Sequence, residues 1–406
     1  MTDDPLDPPS DPKLSRNVKI LGLVSLAQDT GSEMLYPLLP TFITRTLGAP
    51  VVAVGVAEGL ADAVAAGMKL VAGRLAGSQR RRRWIAAGYA LATLGKIVVA
   101  LSFAWPMVLL GRTVDRIGKG IRGVPRDALI ADDTDPRMRG RAFGFHRSLD
   151  TVGAVLGPLI GLGLLELLDG RIRPALFVAI IPAAISVALV GLVRQPPPEL
   201  ATAGDGPARD IADSPEARRL PPTFWRVLAP LVAFALVNST DALLLQRCAE
   251  LGLSLTKVVL AYILYNVVYA ALGYPAGKLA DRIPPRLVFA AGLVVFAVVY
   301  IGLGSITSST AVWFLLPCYG AYTALTDGVS RAWITNLVGA QQRTWALGVH
   351  GGATGVGVLL AGLWSGLAWG GTGRLPLTVS GIAALVIAAW IAASGPRGSS
   401  DDLTRR

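Results

Sequence analysis

Runs of mostly apolar residues recur along almost the whole chain, separated by short polar or Gly/Pro-rich stretches. Each is long enough to cross a bilayer core, which takes about 20 helical residues. Set against their breakers, the runs predict twelve spans, near 17–46, 51–76, 84–104, 106–130, 141–168, 173–194, 223–247, 254–280, 287–305, 309–337, 344–369 and 375–394. The expected fold is therefore an all-α membrane protein, with six helices on each side of QPPPELATAGDGPARDIADSPEARRLPP at 195–222. That segment's Pro, Ala, Asp and Arg content cannot build a packed core. It is expected to link an N-terminal bundle at 17–194 to a C-terminal bundle at 223–394. Residues 1–16, acidic, Pro-rich and without the basic region of a signal peptide, and residues 395–406 are expected to be tails.

Composition agrees with a membrane chain: of 406 residues, 52% are hydrophobic and 16% charged, whereas about a quarter are charged in soluble domains. The net charge of +11 matters through its placement. Arg80, Arg81, Arg82 and Arg83 follow the second span, Arg137 and Arg139 the fourth, and Arg282 and Arg286 the eighth. This alternation is the positive-inside pattern rather than a nucleic-acid-binding face. It places both termini and the linker in the cytoplasm, with the chain as a multi-pass protein of a bacterial inner membrane. Cys248 and Cys318 lie in or beside apolar runs without ligand spacing, so no disulfide framework, metal site or cofactor is expected.

A repeat appears at a shift of about half the chain. RGRAFGFHRSLDTVGAVL from Arg139 aligns with RTWALGVHGGATGVGVLL from Arg343, matching Gly144 with Gly348, His146 with His350, Val152 with Val356 and Gly153 with Gly357. The same shift sets Gly73, Leu75 and Ala76 opposite Gly277, Leu279 and Ala280. With one residue of slippage, Gly123, Val124 and Arg126 match Gly328, Val329 and Arg331. Six helices per unit is an even number, so the units enter the membrane in the same direction, related by an axis along its normal. The chain's two histidines, His146 and His350, occupy equivalent places. They are either pH-sensing groups or interfacial histidines that donate a hydrogen bond near a helix start.

On these residues the sequence resembles the major facilitator superfamily over about 17–394. GRLAGSQRRRR at 73–83 resembles the family's G-x-L-A-D-R-x-G-R-R loop motif, with Gly77 at its acidic position, and GKLADRIPPR at 277–286 is a second copy that keeps Asp281. The resemblance implies a cytoplasmic gate built on Gly73, Arg80, Arg81, Gly277, Asp281 and Arg282. Arg116-Ile-Gly-Lys119-Gly120-Ile-Arg122-Gly123 resembles R-x-x-Q-G-x-G, which implies a part for Arg116 in proton coupling. The fifth-span run of Gly153, Gly157, Pro158 and Gly161 is similar to the G-x-x-x-G-P-x-x-G signature of drug and metabolite antiporters, which implies export. Its plain physical content is a groove of small residues that another helix can approach closely. DTGSEMLYPLLPTFI at 29–43 and DRIGKGIRGVPRDALIAD at 115–132 look like a bacterial subgroup of efflux permeases, some assigned to metal resistance.

An ionisable side chain at mid-membrane costs roughly 2.5–3.5 kcal/mol, so each one within a span is a candidate for function. Asp29 and Glu33 share one face of the first span. Glu58 and Asp62 do the same in the second, with Lys69 two turns on. Arg112, Arg116, Lys119, Arg122 and Arg126 draw a basic stripe down the fourth span, with Asp115 beside it. Such a stripe must line a cavity or pair with the acids of the first two spans. Proton coupling is therefore expected at Asp29 and Glu33 opposite Arg116, with Glu58 and Asp62 as second choices. The substrate cavity is expected to hold Arg112, Asp115, Lys119, Asn238, Asp241, Asp327 and Arg331, with Tyr262, Tyr265, Asn266 and Tyr269 on one face of the eighth span.

The function expected is proton-coupled export of a small organic molecule by alternating access, an anionic one suiting the basic stripe. The partners expected are the lipid bilayer, the substrate and protons, with the chain working as a monomer and without nucleic acid. Divalent-metal efflux is the alternative, since Asp29, Glu33, Glu58 and Asp62 offer hard oxygen ligands. A transport-inactive receptor or an intramembrane enzyme is a third class. A receptor would usually carry a folded soluble domain, whereas the longest polar segment here is the 195–222 linker, and an intramembrane hydrolase would want an arrangement such as HExxH, which the sequence does not hold.

Overall fold

A computed structural model describes residues 14–35, 38–39, 42–50, 52–76, 80–194, 219–239, 241–370 and 372–394, without the side chains of 45, 52, 54–59, 62, 255 and 256. Gly77 and most of the expected linker lie outside the described residues. The described helices fall into twelve spans. The first half has Arg16–Leu35, Val52–Leu75, Arg81–Leu101, Trp105–Asp132, Arg139–Leu167, and a sixth span built from Ile172–Val178 and Ile180–Val190. The second half has Pro222–Ala235 with Asp241–Glu250 as its first span, then Leu255–Arg282, Pro285–Ser305, Val312–Asn336, Arg343–Leu367 and Arg374–Ala393. Seven described spans are apolar and long enough on those grounds alone to cross a membrane. The fourth, with its five basic residues, is not among them.

Three spans are interrupted where one helix is expected, the sixth for a single residue at Ala179. The first span ends its α-helix at Leu35, and a separate π-helical turn covers Phe42–Thr46, because the sequence puts Pro37 and Pro40 between them. The seventh span, expected as one helix over 223–247, is broken after Ala235 and resumes at Asp241. The intervening run carries Asn238, Ser239 and Thr240 ahead of Asp241. Such side chains compete for backbone hydrogen bonds and favour helix ends. The carbonyl of Leu236, freed near the break, accepts a hydrogen bond from Trp364 Nε1 at 2.8 Å.

Helix pairing repeats the sequence symmetry. The first span packs on the fifth and sixth, the second on the fourth, and the third on the fourth and sixth. Adding six to each number gives the pairs of the other half: seventh on eleventh and twelfth, eighth on tenth, ninth on tenth and twelfth. The halves meet where the fifth span packs on the eighth and the second on the eleventh, a pair of contacts that the same shift exchanges. Counting spans puts the starts of the first and seventh and the ends of the sixth and twelfth on one side, the linker side. Asn17 and Arg194 there exchange two 2.9 Å hydrogen bonds.

Candidate functional site

A cavity of about 410 Å³ lies between the halves, within the size range of small-molecule sites. Its first-half wall is cationic and acidic: Asp29 from the first span, Lys69 from the second, Lys119, Arg122, Arg126 and Asp127 from the fourth, Arg147 and Asp150 from the fifth. The facing wall is largely aromatic and hydroxylic, with Phe234, Asn238 and Asp241 from the seventh span, Phe289 from the ninth, and Tyr319, Tyr322, Thr323, Thr326, Asp327 and Arg331 from the tenth. Asp241 accepts hydrogen bonds from the hydroxyls of Tyr265 and Tyr319, each at 2.7 Å. It also opens the second helix of its span, where the N-terminal dipole favours a carboxylate.

The linker-side floor of the cavity is a chain of ion pairs that crosses between halves twice. Arg331 of the tenth span contacts Asp127 of the fourth at 2.9 Å and also Asp327 on its own helix. Arg147 of the fifth span lies 2.8 Å from Asp150 and 3.3 Å from Asp327. The hydroxyl of Tyr269 donates to Asp327 at 2.6 Å. Asp150, at the end of this chain, faces Asp29 across the fifth and first spans with the two carboxyl groups within hydrogen-bonding reach. Asp29 also has Arg122 at 4.0 Å, and the Arg122 guanidinium stacks over the Tyr89 ring at 4.6 Å.

About one to two helical turns closer to the linker side, a second layer seals the halves together. Arg81 and Arg343, from opposite halves, both pair with Asp132, and Arg81 donates to Thr344 at 3.1 Å. Arg139 donates to the carbonyl of Thr335 at 3.0 Å and to Asn336 at 2.6 Å. Asp281 receives the backbone N–H groups of Gly140 and Arg141 at 2.7 and 3.0 Å and Arg141 Nε at 3.0 Å. Glycines let the backbones meet here: a Cβ on Gly277 would lie 2.1 Å from the Gly140 carbonyl oxygen, and one on Gly73 2.8 Å from Gly348 Cα.

Of the expected cavity residues, Lys119, Asn238, Asp241, Asp327 and Arg331 line it, while the others stand elsewhere. Asp115 turns away from the first two spans into a buried cluster, with Lys96 of the third span at 2.8 Å, Arg112 at 3.8 Å and Arg116 at 3.9 Å. The cause is close packing of the third and fourth spans, where a Cβ on Gly95 would lie 2.5 Å from the Gly111 carbonyl and one on Gly118 2.4 Å from that of Gly88. The cations beside Asp29 are accordingly Arg122 and Lys119, not Arg116. Glu33 lies in electrostatic range of Lys119, Arg116 and Arg112, and the side chains of Glu58 and Asp62 lie outside the described residues. Tyr265 and Tyr269 support Asp241 and Asp327 from behind rather than lining the cavity; Asn266 bonds the carbonyl of Tyr262 on its own helix. Arg80 and Arg282 are exposed at the linker side.

The glycines of the fifth span accept the first: a Cβ would meet Leu26 O at 2.6 Å from Gly153, Thr30 O at 2.7 Å from Gly157, and Met34 O at 3.2 Å from Gly161. Pro158 sits inside that helix. His146 does not serve a helix start; it is buried and bonds Ser25 at 3.0 Å, where Arg126 also donates at 2.9 Å. His350 lines the cavity. Arg147, Asp150 and Lys96 stand outside the residues expected from the sequence, although the cost of a charge within a span applies to them equally.

Comparison with known proteins agrees with this arrangement. A family profile described as Major Facilitator Superfamily matches residues 21–246 and 248–405. An uncharacterised MFS-type transporter of Methanocaldococcus jannaschii is 28% identical over 368 residues, covering 89% of this chain and 90% of the relative. The multidrug resistance protein MdtH of Photorhabdus laumondii is 32% identical over 136 residues, 34% of each chain. Among solved structures, the human organic anion transporter MFSD10 superposes with a TM-score of 0.74 at 17% identity, over 94% of this chain and 100% of that one. The proton:xylose symporter XylE gives 0.72 at 17% identity, over 93% and 94%. With its twelve spans, its two symmetric halves and a cavity between them, the chain belongs to the Major Facilitator Superfamily and is a membrane transporter, not an enzyme.

Proposed function

We propose that this transporter exchanges protons for a small organic molecule and exports it by alternating access, with the linker side facing the cytoplasm of a bacterial inner membrane. The observation that carries this reading is the carboxyl pair of Asp29 and Asp150, tied through Arg147 to Asp327 in the other half. Two carboxyl groups this close are best satisfied by sharing one proton. In the linker-side-closed state, Arg147 divides its charge between Asp150 and Asp327. Parting the halves on that side takes Asp327 away and leaves the guanidinium to Asp150 alone. The ionised pair is then favoured, and the proton leaves toward the linker side. A proton taken up on the far side and released on the linker side drives export. The positive-inside placement of Arg80 to Arg83 supports the orientation, and the partial likeness to a multidrug resistance protein supports efflux.

The test uses the full chain in proteoliposomes with an imposed pH gradient, following fluorescein as an organic anion and ethidium as an organic cation. Gradient-driven accumulation of one probe is expected, with Asp29→Asn and Asp150→Asn each losing it while keeping exchange at equal pH. Wild-type accumulation by both variants would refute the coupling assignment. Divalent-metal efflux through Asp29, Glu33, Glu58 and Asp62 has no cluster of three or more ligating side chains among the described residues to support it.

A further inference from the structure

The cavity's charges do not cancel. Most of its cations have a partner, as described above, but among the described residues neither Lys69 nor Lys119 closes an ion pair. They are near neighbours, one from the second span and one from the fourth, and their charges repel. The alkyl stem of Lys69 crosses the seam between halves over glycines of the eleventh span: a Cβ on Gly351 would lie 3.1 Å from Lys69 Cδ, and one on Gly355 4.0 Å from Nζ. A lysine within a span ordinarily extends its ammonium to the membrane surface. This one is delivered into the cavity instead. Beside the pair, Arg122 is only 4% exposed, and its Nη1 has no hydrogen-bond partner. Three cationic groups thus converge on one region, opposed there by Asp29 beside Arg122 and Lys119 and by Glu33 in electrostatic range of Lys119, and Nη1 of Arg122 keeps an unused donor. Leaving cations so placed is expensive unless an anion joins them.

Across the cavity stand Phe234, Tyr319 and Tyr322. The Phe234 and Tyr322 rings are 5.9 Å apart at 70°, and those of Tyr319 and Tyr322 5.2 Å apart at 41°. Of the two acids on that wall, Asp241 has each oxygen occupied by a phenol hydroxyl, and Asp327 is held by Tyr269, Arg147 and Arg331. We infer that the substrate is an aromatic organic anion, its carboxylate, sulfonate or phosphate held by Lys69, Lys119 and Arg122 and its ring body lying on the Phe234, Tyr319 and Tyr322 wall. This rests on the transporter reading above but not on proton coupling.

The test is binding to the purified full chain in nanodiscs, read by calorimetry with three probes of one shape: 2-naphthoate, 2-naphthamide and 2-naphthylmethylammonium, with acetate to remove the ring. Naphthoate should bind at least about tenfold tighter than each of the others, about 1.4 kcal/mol. Lys69→Gln and Lys119→Gln should each weaken naphthoate about tenfold and leave the amide within about twofold, a split that mere loss of folding would not give. Lys119→Arg should retain naphthoate within about threefold. Absence of naphthoate binding, equal binding of the amide or the ammonium probe, or an unchanged naphthoate affinity in both Gln variants would overturn the inference. Binding that follows this pattern without gradient-driven flux would sink the coupling assignment and leave the anion clamp standing; gradient-driven flux of a cation without anion binding would do the reverse.

Discussion

Replacing Asp281 with Ala should open the transporter on its linker side. The carboxylate accepts three hydrogen bonds from the first turn of the fifth span, at 2.7, 3.0 and 3.0 Å, and all three cross between halves. They exist only while that side is closed, so their loss acts on the conformational equilibrium and not on either half alone. Hydrogen bonds to a charged partner contribute about 1.5–3 kcal/mol each. They are not additive, and water reaches the vacated N–H groups once the halves part. A net loss of about 2–4 kcal/mol follows, or roughly 30-fold to 1,000-fold in the ratio of open to closed. The reporter is Thr323→Cys, in a background with Cys248→Ser and Cys318→Ser, because Thr323 lines the cavity. An impermeant maleimide is applied to inside-out and right-side-out vesicles. Labelling from the linker side should rise at least about tenfold in Asp281→Ala, less in Asp281→Asn, which keeps an acceptor for Gly140, and labelling from the far side should fall. Gly277→Val should act in the same direction by a different route, since its Cβ would lie 2.1 Å from the Gly140 carbonyl oxygen. Rates within twofold of wild type for both variants, in protein that elutes normally, would refute the assignment of this contact as a gate.

Three further outcomes are expected. Gly153→Val should lower stability by about 1–3 kcal/mol, seen as an earlier thermal transition in detergent, because its Cβ would meet the backbone of the first span at 2.6 Å. Asp115→Asn should be more damaging than Lys96→Met in the same assay, by an amount within the roughly 3–5 kcal/mol of a broken buried pair, because Asp115 has three cations within 4 Å and Lys96 has one acid. A double-mutant cycle on Arg147→Met and Asp327→Leu, read by the Thr323→Cys labelling rate, should give a coupling of about 0.5–3 kcal/mol; additive effects would remove Arg147 from the inter-half floor.

The spans were legible because a bilayer imposes one length and one composition on every crossing helix, and the repeat made the pairing of helices legible as well. What the sequence concealed was the register between neighbours. The basic stripe of the fourth span was visible from its spacing, but its division was not. Gly88, Gly95, Gly111 and Gly118 set the third and fourth spans backbone to backbone, and that contact turns Asp115, with Arg112 and Arg116 beside it, toward Lys96 while Lys119 and Arg122 are left facing the cavity. The break in the seventh span was readable in its Asn-Ser-Thr-Asp run, and Arg147 with Asp150 in their spacing of three within an apolar run.

The repeat also marks where symmetry stops. Matching Gly123 with Gly328 and Arg126 with Arg331 sets Asp327 at the place held by Arg122 in the first half. Equivalent positions thus carry opposite charges, and the two ion pairs of the cavity floor that cross the seam, Arg331 to Asp127 and Arg147 to Asp327, are not images of one another. The helix contacts around them are. Backbone packing depends on small residues and helix geometry, which a duplicated unit inherits on both sides. A charge network tolerates a change at one end only if a partner changes with it, so it diverges as a set. For that reason the repeated sequence foretells which helices touch, whereas the coupling chemistry at their junction had to be found residue by residue in three dimensions.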